Sequence, residues 1–268
     1  MKQFLTIVLF LLTCAPAAFA FDVMDRRGEL LGWEGVGRVD LGGGSYCTGT
    51  LIARDVVLTA AHCVFNEKGR LRSASSMRFK AGYHHGKAIA VRRVTKLVVA
   101  EGYKPNKSVQ FGADQISKDV ALLKLDRFIV SAEADPFKLQ TNATPGSIVS
   151  VVSYGQGRDE VLSRQAKCKV TNTYSRGILG MDCNVTFGTS GAPVFVRNDG
   201  RLRILAVVSA MSKDRDGKKE ALGVLASGMV KELMAELRND ASRPKPTKGA
   251  RRISVGERSA GGARFLKP

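Results

Sequence analysis

Short apolar runs of β character, separated by turn residues, recur along nearly the whole chain, and only one stretch carries a helical period. Tyr46–Ile52, Val56–Ala60, Met77–Ala81, Ala88–Val94, Lys96–Ala100 and Val120–Leu125 fill the first half. Ile148–Tyr154, Ala166–Thr173, Ala192–Arg197, Leu202–Ser209 and Ala221–Ala226 fill the second. Runs of this length bounded by Gly, Asn and Asp read as strands. Asn198-Asp199-Gly200 predicts a tight hairpin, since its residues tolerate the positive φ that such turns need. Many short strands restrict the chain to an all-β barrel or sandwich. The exception is Ser227–Arg238, where Met229, Val230, Leu233, Met234 and Leu237 recur at helical spacing behind Ser227, the expected N-cap.

Both ends differ from this middle. Residues 1–20 carry an early Lys2, an apolar stretch from Phe4 to Thr13, and then Ala18-Phe19-Ala20. This is the layout of a secretory signal peptide, with cleavage expected after Ala20 and export to the periplasm or the medium. The apolar stretch is too short for a comfortable membrane span. Residues 239–268 hold eight basic side chains against two acidic, without apolar periodicity, and contribute much of the net charge of +18. Such a segment reads as a disordered tail. It is either simply solvated or adhesive toward anionic envelope polymers or lipid head groups. No specific nucleic-acid partner is expected, and the chain is expected to be a monomer.

Without Cys14, which the leader would remove, four cysteines remain: Cys47, Cys63, Cys168 and Cys183. Export implies an oxidising compartment, and four cysteines allow three disulfide connectivities. Metal ligation is the rival reading, but no CxxC spacing supports it. His84 and His85 are adjacent, and with no further ligand evident in the sequence they read as a surface turn. No metal and no cofactor are expected.

Three segments carry chemistry. His62 lies in Leu58-Thr59-Ala60-Ala61-His62-Cys63, Asp119 in Lys118-Asp119-Val120-Ala121-Leu122-Leu123, and Ser190 in Gly188-Thr189-Ser190-Gly191-Ala192-Pro193. Acyl transfer needs a hydroxyl, a base to take its proton, and a carboxylate to orient that base. Imidazole, with an unperturbed pKa near ~6.5, suits the second role.

The surroundings of all three residues, in the order His, Asp, Ser, resemble the trypsin-like serine proteases, over about Trp33 to Leu237. Thr189 and Ala192 depart from the usual GDSGGP loop, and point toward the bacterial exported branch that includes the glutamyl endopeptidases. The resemblance implies two antiparallel Greek-key β-barrels with a C-terminal α-helix. Residues 21–135 would form the first barrel, with His62 and Asp119, and residues 136–238 the second, with Ser190 and the helix. By position it assigns the oxyanion donors to the N–H groups of Gly188 and Ser190. It makes Ser209 a support for Asp119 and sets Ala210 and Met211 along the substrate cleft. It selects a Cys47–Cys63 disulfide, and Cys168–Cys183 follows by exclusion. Each would close a loop of about 15 residues, worth about 3 kcal/mol in the chain-entropy model. The implied function is an exported serine endopeptidase acting on protein or peptide substrates through an acyl-enzyme.

Two other readings stand beside it. One is a catalytically silent homologue used as a binding module; the other is an envelope-binding protein acting through its tail. Glutamate specificity is not expected, because no histidine follows His85. Asp182 is the acidic residue nearest the serine turn in the sequence. Thr189, neutral where animal enzymes carry an aspartate, implies that no buried ion pair is needed to shape that turn.

Overall fold

The computed structural model describes residues 21–105, 112–142, 144–213 and 217–241. The expected leader, its cleavage site, Cys14 and the basic tail beyond Ala241 lie outside the described residues.

After a short β1 (Asp22–Val23), the chain forms β2 (Val36–Asp40), β3 (Tyr46–Ala53), β4 (Val56–Thr59), β5 (Arg78–Ala81) and β6 (Ala90–Val99). A one-turn helix α1 (Ala113–Ile116) leads into β7 (Ala121–Leu125). The second half contains β8 (Lys138–Leu139), β9 (Ile148–Ser153), β10 (Ser163–Thr173) and β11 (Ile178–Met181). It continues with β12 (Pro193–Asn198), β13 (Arg201–Lys213), β14 (Lys219–Leu225) and the terminal α2 (Ser227–Ala241).

The all-β architecture expected from the sequence is present as two closed, six-stranded antiparallel barrels. The first closes in the order β2-β3-β4-β7-β6-β5. The second runs β10-β11-β14-β13-β12-β9 and closes through β9 pairing with β10, while β1 and β8 add to its outside. Val39, Leu51, Val57, Phe79 and Leu123 fill the first barrel. Val149, Val151, Leu179, Met181, Val194 and Leu205 fill the second. Trp33 sits where the barrels meet, its ring 5.5 Å from Phe195 of β12 in an edge-on arrangement. The terminal helix buries Val230, Leu233 and Leu237 and packs on β6 and β7, as its apolar stripe requires.

Several details differ from the sequence reading. Lys96–Ala100 is not a separate strand: it continues β6, and a register shift between Val94 and Lys96 absorbs Thr95 as a bulge. Strands β2 and β11 were not expected, because Gly37 and Gly180 weaken their apolar pattern. Both glycines are there for close approach. A Cβ on Gly37 would strike the Phe79 ring, and one on Gly180 would strike the Glu220 carboxylate. The helix runs to Ala241, three residues into the stretch assigned to the tail. Its first main-chain bond goes from Val230 N to Ala226 O, so Ala226 takes the capping position and Ser227 the first helical one. The hairpin at 198–201 has positive φ at both Asp199 (48°) and Gly200 (74°), as a two-residue type I′ turn demands.

Candidate active site

Strand pairing brings the histidine and aspartate segments together. Thr59 at the end of β4 faces Ala121 at the start of β7. His62 therefore follows in a 3₁₀ turn (Ala61–Val64) directly beside Asp119, which precedes β7. His62 Nδ1 lies 2.7 Å from Asp119 Oδ2, and the His62 backbone N–H donates to Oδ1 at 2.8 Å. Asp119 is fully buried, whereas the His62 side chain keeps 22% of its surface exposed. Burial pulls the imidazole pKa down, but the charge of Asp119 and its hydrogen bond more than offset this, so the net shift is upward. The disulfide Cys47–Cys63 ties the turn bearing His62 back to β3, with the Cα atoms 6.3 Å apart.

A third donor reaches Asp119 from the other barrel. Ser209 Oγ, itself buried, donates to Asp119 Oδ2. The β13–β14 register shifts between Val208 and Ala210, so Ser209 is the extra residue of a bulge, a device that re-aims a side chain. Ala210 packs beside Ile116 of α1, Ile178 and Leu222, and Met211 stands 54% exposed. Asp182 does not join this group: its carboxylate accepts the Lys169 N–H on β10.

Ser190 stands half-buried on the turn that precedes β12. Two residues earlier Gly188 has φ +83°, and a Cβ there would meet the Tyr154 carbonyl and the Tyr46 ring. Thr189 is buried and neutral, and its Oγ1 accepts the Thr186 N–H at 3.3 Å within the same turn. The first barrel holds this turn from below. Thr48 Oγ1 donates to Gly188 O at 2.8 Å, the Thr48 N–H donates to Ser190 O at 2.9 Å, and Thr59 Oγ1 donates to Thr48 O at 2.8 Å. Gly191, with φ +78°, has no room for a Cβ against Thr59 Oγ1 and the Thr48 carbonyl. The sequence reading passed over Thr48 and Thr59, since threonine in a strand is ordinary and only the assembled barrels reveal their partners. The second disulfide, Cys168–Cys183, joins β10 to the segment entering the serine turn.

Two antiparallel barrels, with a serine turn on one and a buried-aspartate-bound histidine on the other, define the trypsin-like double-barrel class. The family described as Trypsin matches residues 32–227, and the chain belongs to that family. Granzyme-like protein 2 of Rattus norvegicus is 32% identical over 133 residues, which is 48% of this chain and 44% of that protein. Hypodermin-A of Hypoderma lineatum is 36% identical over 88 residues, covering 31% of this chain and 28% of its own. The chain thus spans less than half of the curated relatives it matches. Among solved structures, a Glu endopeptidase in complex with MPD superposes with a TM-score of 0.62 at 20% identity, over 77% of this chain and 91% of that one. The protease Anisep from Arthrobacter nicotinovorans gives 0.58 at 20% identity, over 75% and 93%.

Proposed function

We propose that this chain is an exported serine endopeptidase that cleaves peptide bonds through Ser190, His62 and Asp119. The observation that carries the reading is the double hold of Asp119 on His62, at Nδ1 and at the backbone N–H, reinforced by Ser209. A carboxylate on Nδ1 fixes the proton there and makes Nε2 the basic nitrogen. Ser190 Oγ attacks the scissile carbonyl carbon while its proton passes to Nε2. The resulting oxyanion is met by the N–H groups of Gly188 and Ser190. As the C–N bond breaks, the proton on Nε2 goes to the leaving amine, and an acyl-enzyme remains. Water then attacks the ester, His62 takes its proton, and the proton returns to Ser190 Oγ as the acid leaves. Asp119 stays ionised and stabilises the imidazolium.

Export is supported by the apolar leader and by two disulfides, which persist in oxidising compartments. No observation favours the silent binding-module reading. The test is covalent. A fluorophosphonate should label the chain at Ser190, and Ser190→Ala should abolish labelling and lower peptide hydrolysis by about 10⁴-fold or more. Retained hydrolysis in that variant ends the proposal.

A further inference from the structure

The fold gives the histidine pair the third ligand that the sequence does not reveal. His84 and His85 sit on the turn after β5, and Asp25 arrives from the N-terminal segment, some sixty residues earlier. His84 Nε2 lies 2.8 Å from the Asp25 carbonyl oxygen and 3.9 Å from its Oδ1, and His85 Nε2 lies 2.8 Å from Oδ1. One donor atom from each of the three side chains falls within 4.8 Å of the others. We propose that Asp25, His84 and His85 form a surface site for a divalent transition metal, zinc by preference, with water completing the coordination.

Zinc binds imidazole nitrogen and carboxylate oxygen at about 2.0–2.2 Å, so neighbouring ligand atoms of a tetrahedral site lie about 3.3–3.5 Å apart. The observed separations of 2.8 and 3.9 Å bracket that spacing. The side chains can make the small adjustment, since His85 and Asp25 are 57% and 68% exposed. The two imidazole rings stand edge to face with centroids 4.5 Å apart, both Nε2 atoms turned to one residue. His85 holds φ +43°, in the left-handed region where His, like Asn and Asp, is enriched, and this turn sets its ring beside that of His84.

The turn that carries the two histidines is held in place by Glu160. The Glu160 carboxylate accepts the Tyr83 hydroxyl at 2.9 Å and the Gly86 N–H at 3.0 Å, and the Glu160 carbonyl accepts the His85 N–H at 2.8 Å. The histidine turn is thus fixed on both flanks while both Nε2 atoms face Asp25. A bound ion would fasten residues 21–25, whose β1 pairs with β10 of the second barrel, to the first barrel. The role is structural and independent of the proposed peptidase chemistry.

The whole chain has three histidines, which makes the test clean. Chelator-stripped protein, with its native N-terminal segment and no histidine tag, is titrated with zinc sulfate by calorimetry. One ion per chain should bind, at least 10-fold more weakly in His85→Gln and in Asp25→Asn. At zinc 100-fold above Kd the melting temperature should rise by about 5–10 °C in the wild type, and not in the His84→Gln/His85→Gln double variant. In ¹⁵N-histidine NMR of the unmutated protein, the imidazole signals of His84 and His85 should shift with zinc. Absence of saturable binding, equal affinity in the double variant, or a shift confined to His62 overturns the proposal.

Discussion

Asp119 is the most heavily engaged side chain of the site. Its oxygens accept from the His62 backbone, from His62 Nδ1 and from Ser209 Oγ, and none of its surface meets solvent. The pKa of His62, raised on balance by that carboxylate, sets the first pH expectation. Catalysis needs the neutral imidazole, so kcat/KM on a peptide substrate should climb along a single-proton limb with its midpoint above ~6.5. A midpoint well below 6 would contradict this assignment. Stability runs the other way. A raised folded pKa means that the charged His62–Asp119 pair contributes fully below the unfolded value and loses that contribution as pH rises through the folded one. Part of this scale was legible. Local context singled out His62, Asp119 and Ser190, of which the fold joins the first two by hydrogen bonds, and Gly188 has the positive φ its turn led one to expect. Thr48 was not legible, because its two contacts to the serine turn span about 140 residues of chain.

Among the elements, β11 and β13 show how a single residue governs a strand. On β11, Gly180 lies under Glu220, whose carboxylate is fixed by Thr171 Oγ1, Asn172 Nδ2 and Tyr174 OH. Gly180→Ala must push that carboxylate away from three donors, and should destabilise the protein by about 1–3 kcal/mol. Calorimetric melting of wild type and variant checks this; equal melting temperatures would refute it. On β13, the bulge that aims Ser209 inward also starts an exposed edge at Met211, and Phe187 on the serine turn is 83% exposed. With Asp182 engaged by β10, the apolar side chains exposed beside the serine turn and on β13 are Phe187 and Met211. Small or medium apolar residues should therefore be preferred before the cleaved bond. A peptide library cut mainly after Glu, or after Arg and Lys, would rule this out. Short apolar runs bounded by turn residues made most strands legible, β7 and β12 to within a residue at each end. It failed for β2 and β11, where glycine serves close packing, and at Thr95, where a bulge mimics a strand break.

For the molecule as a whole, the order of three motifs implied two barrels, and the fold has them. What no local pattern encoded is the set of contacts between them. Activation, by contrast, rests on a contact within one turn. Thr189 answers its own turn through the Thr186 N–H, so no buried charge waits there for a cationic partner. The chain beginning at Phe21 should react stoichiometrically with an active-site label without a further cut. Labelling that appears only after cleavage between Arg26 and Trp33 would refute this and make the segment a propeptide. The consequence of the contacts between barrels follows from Thr48 and Thr59, which belong to one barrel yet brace the serine turn of the other. Gly188 and Gly191 are shaped to receive them, so the two halves are not interchangeable parts. A chimaera joining this serine half to the histidine half of a distant relative inherits the nucleophile but not its cradle. It should gain function only when Thr48 and Thr59 travel with the graft, which makes heredity at these four positions a joint affair.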